Sequence, residues 1–330
     1  ARETPEATPA SPDGDPNTIG LVGCVPPSLP VVFTSLAGLS PDARLYLMQS
    51  DGRGRERIGP AGNFQQPVWS PDGKAIAVRF RNPTNGVADW HSEIRLLSPD
   101  GSQGVTLFTD ESDPEAVTLA QRRDGPSWSP DGQWIGFASP KGGQSWAAWR
   151  VSRSGGEPQL LLPGVELSHY DVSWSPRSLD TVAMIAESDG IQDLYLVRNL
   201  KSPSLENLTQ GRVTEPRLPR WSHDGLTLAI VGGDPQRAPS RDVFAVEVEG
   251  HTLMRVTQTA DYEVDATWSP SGTELLSAAQ PPGVSSPPRQ LDLWMISAEQ
   301  ARPARRVTEN QGSNWGADWF RGCESSEREQ

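Results

Sequence analysis

Short apolar stretches recur along the chain between dense turn signals, at lengths that suit strands better than helices. Ala75-Ile-Ala-Val78, Trp134-Ile-Gly-Phe137, Thr181-Val-Ala-Met184, Leu228-Ala-Ile-Val231 and Glu274-Leu-Leu-Ser277 each read as a short buried strand. An alternating strand follows in most copies: Glu93-Ile-Arg-Leu-Leu97, Asp193-Leu-Tyr-Leu-Val197, Asp242-Val-Phe-Ala-Val246 and Leu291-Asp-Leu-Trp-Met295. A further strand ends in Leu208-Thr209, Val256-Thr257 or Val307-Thr308. Ahead of each apolar stretch stands a Trp and a turn: Trp69-Ser-Pro-Asp-Gly73, Trp128-Ser-Pro-Asp-Gly132, Trp174-Ser-Pro-Arg-Ser178, Trp221-Ser-His-Asp-Gly225 and Trp268-Ser-Pro-Ser-Gly272, with a degenerate sixth at Trp319. The tryptophans lie 59, 46, 47, 47 and 51 residues apart, a period that matches four-stranded propeller blades.

Within the turn, Pro presets φ, Asp bonds back to the backbone and Gly takes the left-handed conformation, so the element predicts structure rather than chemistry. Phase predicts the ring's closure. Residues 31–35 and 44–48 read as strands two and three of a blade that lacks its own Trp strand, and the segment around Trp319 is a Trp strand with nothing after it. The two ends complete one blade, giving an all-β, six-bladed propeller of four-stranded antiparallel blades with no free edge at the seam. The repeat resembles the TolB-like β-propeller family, whose unit reads Pro-x-Trp-Ser-Pro-Asp-Gly, two strands, then Leu-Thr, over roughly residues 30 to 320. That resemblance implies that Trp69, Trp128, Trp174, Trp221, Trp268 and Trp319 lie on innermost strands and pack between blades. It also implies protein contacts in a cell envelope, although the chain leaves no room for TolB's separate N-terminal α/β domain. The repeat also precedes serine peptidase domains, and the 11 residues after Trp319 are too few for one.

Composition narrows the partners. Lys and Arg total 29 against 42 Asp and Glu, a formal net charge of -13, which disfavours nucleic acid as a ligand. No apolar run approaches the roughly 20 residues of a membrane-spanning helix. Gly and Pro, 31 each, supply the turns of an all-β chain. Residues 1–22, rich in Pro, Thr, Ser and Asp, read as a tail or tether, 23–325 as a single propeller and 326–330 as a C-terminal tail. The two cysteines, Cys24 and Cys323, flank strands expected to run antiparallel at the seam and are expected to form a disulfide. In the chain-entropy picture a loop that long is stabilised by about 4 to 5 kcal/mol. A structural disulfide points to an extracytoplasmic setting: periplasmic, secreted or tethered to an envelope.

Blade topology sorts the connections onto two faces. Tight turns occupy one, while 81–92, 109–125, 163–171, 232–241, 280–290 and 309–316 form long loops on the other, where function on a rigid scaffold is usually carried. Residues leading from those loops into the innermost strands are expected to ring the channel mouth: Gln65, Gln66, Asp124, His169, Tyr170, Asp171, Arg217, Tyr262, Glu263, Asp265, Asn314 and Trp315. Each can equally cap a strand end. Trp90, Trp146 and Trp315 sit at loops of this face, where an indole stacks on a sugar, anchors a protein interface or simply packs, whereas Trp134, Trp149 and Trp294 lie in strands and are expected between blades. The acidic stretch 110–115 lacks the spacing of a calcium loop and reads as solvated. Asn207-Leu-Thr209 matches a glycosylation sequon but coincides with the fourth-strand signature. No metal-binding His spacing, nucleophile elbow or phosphate loop occurs, and no cofactor or metal is expected. The preferred reading is a non-catalytic scaffold that binds a protein partner through the loop face. The alternative is a glycan-binding propeller, or a lyase or glycosidase with Asp171, Glu263 or Asp265 as acid or base beside His169 or Arg217.

Overall fold

The computed structural model describes residues 26–37, 42–83, 90–110, 125–139, 146–237, 241–258, 261–280, 290–299, 302–308 and 312–322, with no account of the side chains of 82, 83, 90, 91 and 110. Six four-stranded antiparallel sheets form the blades, and no helix occurs among the described residues. Blade 1 joins the chain ends: Ser313–Trp319 pairs with Val31–Leu36, followed by Arg44–Met48 and Glu56–Ile58. Its seam pairs Val31 with Trp319, and Phe320 N–H donates to the Pro30 carbonyl at 2.8 Å. The closure expected from phase is the closure observed. Cys24 and Cys323 lie outside the described residues.

Blades 2 to 6 start on the inner strands Asn63–Trp69, Ser127–Trp128, Ser168–Trp174, Thr214–Trp221 and Tyr262–Trp268. All six motif tryptophans are buried. Three latch onto the preceding blade: the Nε1–H groups of Trp128, Trp221 and Trp268 donate to the carbonyls of Val68, Ser173 and Arg220 at 3.2, 3.1 and 3.1 Å. Each accepting carbonyl belongs to the residue just before the neighbouring motif Trp, so one indole fixes both spacing and register between blades. Trp134, Trp149 and Trp294 pack against the clusters between blades, as expected of strand tryptophans.

The turn after each Trp closes as its residues dictate. In blade 2, Ser70 Oγ donates to Asp72 Oδ1 at 2.5 Å and accepts the Ala75 N–H at 2.9 Å, while Gly73 adopts φ +69°. The terminal Thr of the repeat has a task of its own. Thr209 Oγ1 donates to Asp193 Oδ1 (2.6 Å) and accepts the Leu194 N–H (2.9 Å), clasping the outermost segment to the start of the third strand. Thr257 and Thr308 accept Val243 and Leu293 N–H in the same way. Asn207, the sequon residue, is spent on this clasp: its Nδ2 donates to Asp193 Oδ2 and its Oδ1 accepts the Thr209 and Gln210 amides.

Candidate functional site at the loop-face end of the inner strands

Counting back from the motif Trp exposes a feature that alternation alone does not show. Three residues before Trp stand Gln66, Gly125, Asp171, Leu218, Asp265 and Gly316 in blades 2, 3, 4, 5, 6 and 1. Strand register slips around this position in blades 1, 2, 4, 5 and 6, which marks a β-bulge. Gln66, Asp171, Leu218 and Gly316 adopt the left-handed conformation there, with φ of 49°, 50°, 52° and 60°. Such a conformation costs a non-glycine residue about 1 to 3 kcal/mol, so neighbours must hold it.

Side-chain hydrogen bonds do so from blade to blade. Asp171 Oδ2 accepts the Leu218 N–H at 2.9 Å, and Asp265 Oδ2 accepts the Gly316 N–H at 2.5 Å; each carboxylate therefore caps the equivalent amide of the next blade. Asp265 Oδ1 also accepts Ala278 N–H at 3.1 Å within its own blade. Gln66 faces Gly125 so closely that a Cβ on that glycine would stand 2.6 Å from Gln66 Oε1. Polar side chains in blades 2, 4 and 6 thus alternate with Gly125, Leu218 and Gly316 in blades 3, 5 and 1. The belt has a threefold rhythm inside a sixfold fold.

The residues expected to ring an open mouth divide into two groups. His169, Tyr170, Asp171, Glu263, Asp265, Asn314 and Gln66 are buried. Tyr170 packs with Trp146, ring centroids 6.0 Å apart, so this loop-region indole is a core residue of the blade 3–4 junction rather than an exposed platform. Asn314 Nδ2 donates to the carbonyls of Gly312 (3.1 Å) and Leu291 (3.4 Å), tying blade 1 to blade 6. His169 Nδ1 bonds to the Leu167 carbonyl, which places its proton on Nδ1. Burial, only partly opposed by that bond, lowers the His169 pKa and keeps the ring neutral. Four acceptor atoms of this group, Gln66 Oε1, His169 Nε2, Asp171 Oδ1 and Asn314 Oδ1, are buried without a hydrogen-bond partner among the described residues. Buried acceptors of this kind call for donors, either trapped water or N–H and O–H groups of a ligand.

The second group reaches solvent. Tyr262 is 40% exposed, and the Arg241 guanidinium lies 5.6 Å from its ring centre. Arg241 is in turn held by Glu215, through its carbonyl at 3.3 Å and its carboxylate at 3.6 Å. Arg217 and Trp315 are half-buried, the latter against the blade 6–1 core. Sequence reading singled out Tyr262 but not Arg241, which comes from a different loop of blade 5; only the fold brings them together. The side chain of Trp90, Asp124, and most of the acidic stretch 110–115 lie outside the described residues. Among the described residues no group of three or more His, Cys, Asp or Glu could hold a metal ion, and no helix is long and apolar enough to cross a membrane.

No family model matches the chain. An uncharacterised protein of Agrobacterium fabrum, Atu1656, is 29% identical over 231 residues, covering 59% of this chain and 68% of that protein. TolB from Acinetobacter baumannii superposes with a TM-score of 0.70 at 16% identity, over 89% of this chain and 67% of that one. A structure assigned as TolB from Agrobacterium tumefaciens gives 0.62 at 19% identity, over 88% and 92%. A puromycin-hydrolysing peptidase from Mycobacterium tuberculosis gives 0.53 at 14% identity over 85% of this chain and 46% of its own. At these identities the likeness is one of fold: this chain is a six-bladed propeller of the TolB-like architecture.

Proposed function

We propose that this protein is a non-catalytic recognition scaffold that acts outside the cytoplasm and binds a protein partner through its loop face. The observation that carries this reading is the division of labour at the inner strands. Asp171 and Asp265, the carboxylates best placed by sequence to serve as acid or base, hold backbone amides of neighbouring blades. The exposed chemistry beside them is Tyr262, with the largely buried Arg241 guanidinium held near its ring by Glu215, the residue types on which protein interfaces concentrate binding energy. Bracing matters because a side chain ordered before binding loses less entropy on binding.

An oxidised Cys24–Cys323 bridge belongs to the same proposal. Seam pairing extends to Phe320 and Pro30, three residues from one cysteine and six from the other. Intact mass before and after reduction, with alkylation of the native protein, decides it: two readily alkylated thiols and no mass change on reduction remove the argument for an oxidising compartment.

The function is tested by crosslinking in envelope and extracellular fractions, comparing the native chain with Tyr262→Ala, Arg241→Ala and, on the opposite face, Leu226→Ala. A protein adduct lost in the first two and kept in the third supports the scaffold. Retention or cleavage of oligosaccharide with no protein adduct replaces it with the glycan reading and directs the next substitutions to Glu263.

A further inference from the structure

At the rim of the ring, the segment leaving the outermost strand of one blade passes the outer hairpin turn of the next. Between blades 1 and 2 this meeting is tight: a Cβ on Gly101 would stand 2.5 Å from the Gly59 nitrogen. Between blades 6 and 1, a Cβ on Gly52 would stand 2.6 Å from the Val307 carbonyl oxygen. Between blades 4 and 5, the Arg212 guanidinium donates to the His251 carbonyl at 3.3 Å. The meeting of blades 3 and 4 is open. Gly164, Val165, Glu166 and Leu167 on one side and Pro203 and Leu205 on the other line a groove of about 360 Å³, within the range of roughly 300 to 1,000 Å³ usual for binding pockets. The connection there runs over seven residues, 161–167, against four, 59–62, between blades 1 and 2, which lets it stand away from the turn.

Both walls are held in place. Val165 and Leu167 pack against the blade 3–4 core yet stay half-buried, and Leu205 is 38% exposed. Leu205 lies on Ser204–Asn207, the edge strand of blade 4. Side chains alternate along a strand: Leu205 faces the groove, while Glu206 turns the other way and is held by Arg198 at 2.6 Å and by His251 of blade 5 at 2.9 Å. The edge is therefore ordered before anything binds. Leu208 N–H donates to the Leu194 carbonyl at 2.8 Å, so Leu194 and Leu208 form a hydrogen-bonded pair, and Leu196 with Glu206 is the next such pair in the register. Leu205, between them and opposite Val197, consequently points its own N–H and C=O outward along the open edge. Glu166 is exposed and makes no hydrogen bond or ion pair with a described residue. The groove thus combines aliphatic walls, an unpaired strand edge and one unused carboxylate, in a chain of net charge -13.

We propose that this groove is a second interaction surface, separate from Tyr262, which receives an extended basic segment of a partner protein. The segment adds as a strand to the edge at Leu205 and lays an aliphatic side chain against Leu205 and Leu167. Two residues along, and so on the same face, a Lys or Arg of the segment meets Glu166. Backbone pairing supplies affinity, and the apolar-x-basic spacing supplies selectivity; an acidic segment is repelled because Glu166 has no cation of its own. The site does not depend on the loop-face reading.

The test follows fluorescence polarisation of labelled, capped pentapeptides added to the full chain: Thr-Val-Thr-Lys-Thr, its counterpart Thr-Val-Thr-Glu-Thr, and the lysine peptide N-methylated at its valine amide. The lysine peptide is expected to bind at least about threefold more tightly than the glutamate peptide, the scale of an exposed ion pair. Glu166→Lys is expected to reverse that order, and Leu205→Thr to weaken binding about tenfold. The reversal guards against misreading a misfolded variant, since a gained preference does not come from damage. Tyr262→Ala is expected to leave the affinities unchanged; loss of binding in that variant moves the peptide to the loop face and overturns the proposal. So does the absence of saturable binding, equal affinity for the two charged peptides, an order that Glu166→Lys leaves unchanged, or full binding by the N-methylated peptide.

Discussion

In blades 1, 2, 4, 5 and 6 the inner strand is two different structures joined near the third residue before its Trp. The half towards the turn face is regular, ends in a buried Trp, and in blades 3, 5 and 6 is latched to its neighbour by an indole N–H. Towards the loop face the strand is bulged and visits the left-handed region, and side-chain carboxylates in blades 4 and 6 replace indoles as the blade-to-blade ties. The repeat therefore conserves its geometry at one end and varies it at the other. An indole latch needs a flat apolar slot and gives the same spacing every time; a carboxylate tie tolerates a bulge, and that of Asp171 leaves its Oδ1 without a donor among the described residues. Recognition fits the irregular half because its buried acceptors, among them His169 Nε2 and Asp171 Oδ1, have no donor among the described residues.

If carboxylate ties hold the loop-face half, removing one should cost more than an ordinary hydrogen bond, because buried amides lose their acceptor. Asp265→Ala is expected to have the largest effect, about 2 to 4 kcal/mol in urea unfolding, since the Gly316 and Ala278 amides are both left unsatisfied, while Asp265→Asn retains an acceptor and loses less. Asp171→Ala should follow at about 1 to 3 kcal/mol, through the Leu218 amide. An Asp265→Ala protein as stable as the native one would show that the belt is not a tie at all. In the regular half, Trp221→Phe keeps most of the apolar contact and loses the bond to Ser173, with an expected loss of about 1 to 2 kcal/mol.

Two carboxylates of the turn-face half sharpen the comparison through pH. The Asp72 pKa is lowered: burial pushes it up, but bonds from Ser70 and Arg153 and from the Lys74 amide outweigh that. Its contribution is present above the ordinary carboxylate range and is lost as pH falls through the lowered value. Asp318 has the opposite sign. Burial raises its pKa, so its contribution is present below the ordinary carboxylate range and is lost as pH rises through the raised value. Asp318→Asn should accordingly raise Tm at neutral pH and lose that advantage below about pH 4, the ordinary carboxylate range, whereas Asp72→Asn should lower Tm at neutral pH and converge with the native protein in acid. The smallest stability effect is expected for Tyr262→Ala, within about 0.5 kcal/mol for an exposed side chain, even as partner crosslinking is abolished.

Much of this was legible from residues alone because it is local or periodic. The Ser-Pro-Asp-Gly turns encode their own hydrogen bonds within five residues, and the spacing of Trp69, Trp128, Trp174, Trp221, Trp268 and Trp319 carries the blade count. Even the seam followed from phase, since two incomplete ends of one repeat make a whole. The candidate site was legible only as a set of positions. Tyr170 and Tyr262 both lie in the loop-face part of their inner strands, each followed by an acidic residue, yet one is buried on Trp146 and the other lies exposed beside Arg241.

Sequence by itself determined the strand order, the turn chemistry and the residues that fill the space between blades, because those depend on neighbours a few residues away or one period away. Tertiary structure alone decided which polar groups are tied and which are left to bind. Asp171 meets Leu218 one blade on, and Asp265 meets Gly316 one blade on. Those residues stand one repeat period apart, 47 and 51 positions, but which side chain turns to cap the next blade's amide is decided by the bulged backbone and the closed ring, and a linear reading has no physical route to that choice.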